Sequence, residues 1–118
     1  MDTQINENET SFKFIAAFCG SPEIIALLMG FMEGTHFQTM RNTKEQCFSG
    51  NVQKVFTPNI RPGADSVTYT HGLISEEKWK LYNDEYRQAV KDEFNAEFGK
   101  YIESGELTIV SSVGYPTA

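Results

Sequence analysis

Four side chains in this sequence can hold a soft metal or act as a nucleophile and its base: Cys19, His36, Cys47 and His71. Two thiolates and two imidazoles would satisfy tetrahedral zinc. Zinc sites are announced by close pairs such as C-x-x-C or H-x-x-x-H, and here the four stand singly, so no metal is expected. Cys19, just ahead of Gly20 and a helix start, is the better nucleophile candidate, because a helix N-terminus favours the thiolate. The apolar run around it reads instead as core. His71 has no acid beside it in the sequence. Glu33 and His36 are three apart and can share a helix face as an orienting acid and a base. Together Glu33, His36 and His71 form the alternative reading, a small-molecule pocket or enzyme. No phosphate-binding glycine motif, nucleophile elbow or paired-carboxylate motif is present, so no catalytic residue and no cofactor is assigned. The segment Arg61–Asp65 (RPGAD) has an arginine on a flexible turn that could grip an anion, although an exposed turn is the plainer account.

These residues must be positioned by a few elements, of which the longest is a helix from Ser75 to Ser104. Ser75 is a good N-cap, Ile74 and Trp79 have the spacing of a hydrophobic staple, and Glu76 and Glu77 complement the helix dipole. Gly105 can take the left-handed conformation that ends a helix. Trp79, Tyr82, Tyr86, Val90, Phe94, Phe98 and Tyr101 make one stripe at steps of three and four. Strict heptads would put Glu93 and Lys100 in the seam, so a coiled coil is rejected and the stripe is assigned to the core. Gly99 is its weak point, where the helix is expected to bend or end.

A second start signal, Ser21-Pro22-Glu23, opens an apolar helix through Met32 that frays between Met40 and Lys44. Gly30 and Gly34, one turn apart, predict a close crossing with the long helix. Ser11–Cys19 fits both a strand and a helix; Ala16-Ala17 and the exit at Gly20 favour a short helix. Phe14–Met32 is no membrane span, because Gly20–Glu23 interrupts it. Phe48–Asn51 is a break. Val52–Thr57 and Ser66–Ile74 read as strands joined by a long loop from Pro58 to Asp65, and Leu107–Val113 as a last strand. The expected fold is α+β: a small antiparallel sheet, hairpin plus C-terminal strand, packed against the apolar N-terminal helix and the long amphipathic one. Residues 1–10 are a flexible terminus, 11–113 a single domain and 114–118 a tail.

A chain of 118 residues has room for one core. Its net charge of −6 opposes direct binding to nucleic acid or an anionic membrane and suits a protein partner with a basic surface. The first ten residues are polar and acidic, unlike a secretory signal, so a cytoplasmic protein with reduced cysteines is expected. The profile, short, acidic and aromatic-rich without catalytic motifs, is common among phage and mobile-element accessory proteins. The leading expectation is a non-enzymatic protein-binding domain, an inhibitor, adaptor or assembly component, with Arg61, Tyr82 and Tyr86 as contact residues. A self-assembling protein or homodimer is the third reading.

Overall fold

The computed structural model of the chain describes residues 12–48 and 52–113. The terminus Met1–Thr10, the centre of the break near Gly50 and the tail Gly114–Ala118 lie outside the described residues. The chain begins with a strand, β1 (Phe12–Gly20), followed by the helices α1 (Pro22–Glu33) and α2 (Gln38–Cys47). A hairpin of β2 (Gln53–Arg61) and β3 (Ala64–Ile74) comes next. One long helical rod then runs through α3 (Glu76–Leu81), a π-helical turn (Tyr82–Tyr86) and α4 (Arg87–Ser104), and β4 (Leu107–Val113) closes the sheet. All strand pairs are antiparallel and the order across the sheet is β2-β3-β1-β4. This is the expected α+β architecture, with one strand more than predicted.

The extra strand corrects the helix expected over Ser11–Cys19. Ala16-Ala17 favours a helix locally, but both backbone edges of β1 are taken by ladders, to β3 and to β4. Two ladders outweigh a few tenths of a kcal/mol of propensity. Gly20 fits the crossing at the end of β1, where a Cβ would stand 2.6 Å from the Glu106 carbonyl oxygen.

Both predicted caps form. Ser21 Oγ accepts from the Ile24 N–H at 3.4 Å and Ser75 Oγ from the Lys78 N–H at 3.1 Å. Gly105 ends the rod at φ 85°. The single N-terminal helix is in fact two, broken after Glu33. The predicted close crossing at Gly30 is absent, because nothing lies within 4 Å of where its Cβ would be. Gly99 does not end α4, which runs on to Ser104. The loop from Pro58 to Asp65 is mostly strand: β2 and β3 extend to a turn at Pro62-Gly63, and a bulge between Thr57 and Arg61 absorbs Pro58 and Asn59.

The helices lie on one face of the sheet and the core lies between. Tyr82, Val90, Phe94 and Phe98 are buried, with Trp79, Tyr86 and Tyr101 packed against them at the margin. From Tyr82 to Phe98 this stripe advances by four at every step, and each such step over-rotates an α-helix by about 40°. The π turn, in which the Arg87 N–H donates to the Tyr82 carbonyl, widens the rod and takes up part of that drift. At its far end the stripe meets α1 through Phe31 and Phe98, ring centroids 5.4 Å apart, and the start of α2 through Phe37 and Phe94 at 6.2 Å.

Candidate functional site

Glu33 ends α1 above the sheet, and two side chains rise to meet it. Lys54 on β2 and Tyr69 on β3 are cross-strand partners, so alternation aims both at the helical side. The Tyr69 hydroxyl donates to Glu33 Oε2 at 2.6 Å, and Lys54 Nζ stands 3.0 Å from both carboxylate oxygens. The phenol's hydrogen bond, reinforced by Lys54, holds the Glu33 carboxyl below its usual range against the opposing effect of desolvation. Burial, and then the carboxylate, push the Tyr69 phenol well above its ordinary value. Lys44 lines the same cleft, and its ammonium is pulled down by burial.

His71 follows Tyr69 by two residues and lies at the floor of this cleft. It is only 2 % exposed, with ring centroids 5.3 Å from Phe14 and 4.7 Å from Phe48. Among the described residues neither ring nitrogen has a hydrogen-bond partner. Desolvation, helped by the charge of Lys44, lowers its pKa to about 3, so the ring is neutral at ordinary pH. His36 is exposed and lines a different depression, beside Leu27 and Phe98. The predicted set of three is therefore not assembled: Glu33 and His71 share a cleft, His36 does not. Glu33 is already committed to a phenol and an ammonium, and His71 has no orienting partner, so the geometry of a general base is missing. What remains is a latch that ties the end of α1 to the hairpin.

The four soft-ligand residues are likewise dispersed. Among the described residues no three His, Cys, Asp or Glu side chains converge on a metal position. Cys19 and Cys47 are both free thiols. Cys47 is buried, which raises its pKa, and Cys19, next to last in β1 and just ahead of the α1 cap, faces away from the helices.

The expected contact residues are separated too. Tyr82 is not a surface residue: at 3 % exposure it packs against Phe14 and Phe48. Tyr86 is half-buried at the end of the π turn, and Arg61 is exposed at the hairpin tip. Sequence reasoning missed the residues that hold the helices together. Glu93 of α4 accepts from the backbone N–H groups of Gln38 and Thr39, at 3.2 and 2.8 Å, and so caps α2 from another helix. Its carboxyl feels desolvation upward, but these bonds outweigh that and hold it below its usual range. The available signal was that Phe37, at the N-cap of α2, has no side chain able to cap it.

Two further features have the shape of binding surfaces. One is a cavity of about 500 Å³ between the sheet and the rod, entered between α4 and β4. The other is the uncovered face of the sheet. Its central row runs Val110, Ala17, Thr68, Val55 across the four strands, with Cys19 and Ser66 paired in the next row. Val55 and Val110 are 61 % and 65 % exposed, and no described helix covers them.

No family model and no curated protein sequence matches the chain. Solved structures do resemble it. A dimeric ferredoxin-like protein from an uncultured marine organism superposes with a TM-score of 0.54 at 11 % identity, over 89 % of this chain and 94 % of that one. The chain has the ferredoxin-like fold. A second dimeric ferredoxin-like protein from an uncultured marine organism gives a TM-score of 0.46 at 11 % identity, over 92 % and 96 % of the two chains. Among the described residues no helix is long and apolar enough to cross a membrane.

Proposed function

We propose that this ferredoxin-like chain is a non-enzymatic protein-binding module whose first partner is a second copy of itself, joined sheet to sheet. Of the roles expected for a binding domain, assembly component is the one these observations favour over inhibitor or adaptor. One observation carries the reading. β1 is apolar on both faces: Phe14, Ala16 and Phe18 point to the helices, while Ile15, Ala17 and Cys19 point the other way. A strand of that kind is the mark of a sheet covered on both sides, and here one side is bare.

The bare face suits a copy of itself for electrostatic reasons. Two molecules of net charge −6 repel, so the surface they share should be free of acids. By alternation Ile15, Ala17, Cys19, Val55, Thr68 and Val110 stand on this face, and no described acid stands among them. With strands about 4.8 Å apart and about 30 Å long, the face measures roughly 600 Å². Two copies would cover roughly 1,200 Å², the lower bound for a specific stable interface. The similar marine protein, itself described as dimeric, lends support to this reading. Arg61, on the hairpin tip, stays open to a further protein partner in such a pair.

Sedimentation equilibrium over a wide range of loading concentrations tests the proposal. Wild-type protein should approach twice the 13.3 kDa chain mass, and Val110→Lys or Val55→Lys should return it to the monomer with an unchanged circular dichroism spectrum. A wild-type chain that stays monomeric at high concentration, or lysine variants that dimerise as well, would overturn it.

A further inference from the structure

On the opposite, helical side of the sheet, the cavity between β1, β4 and the rod has an unusual distribution of polar groups. Its depth is hydrocarbon: Phe14, Phe18, Phe37, Val90 and Phe94 contribute to the walls, and Trp79 and Tyr82 close one end. Its mouth carries Arg87 and Lys91, one turn apart on α4, with Asn95 one turn further on. Among the described residues no acid lines this cavity. Arg87 spends one N–H group on Asn83 Oδ1 at 3.0 Å and keeps the rest of its fork of donors. Among the described residues no carboxylate pairs with Lys91.

We propose that this cavity binds a small apolar monocarboxylate, with its hydrocarbon part among the phenylalanines and its carboxylate between Arg87 and Lys91. The volume lies within the roughly 300–1,000 Å³ of pockets that enclose small ligands. A planar carboxylate matches the arginine fork, and the neighbouring ammonium adds a second cation to the field it enters. An amine would find no acid to receive it. The π turn widens the rod immediately before Arg87, at the place where the wall of the cavity opens, as such insertions often do beside binding sites. Because the cavity and the bare face lie on opposite sides of the sheet, the site stands or falls independently of dimerisation.

Trp79 is the only tryptophan and lines the cavity, so the protein carries its own reporter. Titration of the full chain with decanoate, followed by Trp79 fluorescence, should saturate at micromolar concentration. Decanol and decylamine should bind at least about tenfold more weakly, a difference of about 1.4 kcal/mol or more. The double variant Arg87→Gln, Lys91→Gln should lose about tenfold for decanoate and nothing for decanol; the unchanged decanol response shows that the cavity is intact. A parallel titration with 2-naphthoate tells whether an aromatic or an aliphatic acid is preferred. Equal binding of decanoate and decanol, or a double variant that binds decanoate like the wild type, would overturn the assignment.

Discussion

His71 is held in the folded chain only as the uncharged ring, and that makes it the acid-sensitive residue of this core. Its pKa falls from an ordinary 6.5 to about 3. Below pH 6.5 the unfolded chain takes up a proton that the folded chain refuses. The stabilisation is therefore complete above 6.5 and is lost as pH falls towards 3, by up to about 1.4 kcal/mol per unit. His71→Phe keeps a ring between Phe14 and Phe48 and leaves no unpartnered nitrogen. Thermal melts from pH 8 to pH 5.5, above the range in which Glu33 and Glu93 titrate, should show the wild type losing stability below pH 6.5 and the variant holding level. Glu33 and His71 were legible in the sequence as chemically capable residues, but their proximity was not. Alternation along β3 puts Val67, Tyr69 and His71 on one face, yet nothing in the sequence says that Glu33 ends its helix above Tyr69. His36 failed because the chain leaves α1 three residues before reaching it, so the spacing that joins Glu33 and His36 on a helix never applies.

The elements are stitched together by contacts between parts of the chain far apart in sequence, and Glu93 is the clearest. It gives α2 the cap that Phe37 cannot supply. Glu93→Ala should destabilise the fold by about 1 kcal/mol, the usual loss for a helix cap, and speed hydrogen exchange at the Gln38 and Thr39 amides. Glu93→Gln keeps one acceptor oxygen and should fall between the two. Since the folded carboxyl titrates below its ordinary value of 4.5, this stabilisation is present above that pH and disappears as acid protonates the folded form. Helix ends were read correctly wherever the cap is local, at Ser21, Ser75 and Gly105. Errors arose where tertiary structure decides: at β1, whose alanines favour a helix until two neighbouring strands claim its backbone, and at the π turn, which the unbroken steps of four from Tyr82 to Phe98 betray only afterwards.

At the scale of the whole molecule, the sheet divides two kinds of surface, a helical side with its open-mouthed cavity and a bare side of β-branched and small residues. If the bare side joins two copies, folding and association are linked, and the melting temperature must depend on protein concentration. Wild-type melts across a hundredfold dilution, roughly, should fall by several degrees, while Val110→Lys should melt at one lower temperature throughout. The overall plan, helices against one antiparallel sheet, was readable from two capped helices and a hairpin. The nature of the bare face was not, because it needs the register of β1 against β3 and β4, which local pattern does not fix.

The irregular stretch of β2 governs how far such assembly can go. β2 and β4 are the two rims of the sheet, and an endless ribbon would require the β2 rim of each molecule to dock on the β4 rim of the next. At Pro58 the backbone has no N–H to offer, and at Asn59 it swings to a φ of 55°, with its amide turned inward to Asp65. With that rim blunted, head-to-tail growth has no starting point. A pairing of two bare faces, by contrast, is two-fold and closes on itself, so it buries the exposed sheet without seeding a fibre.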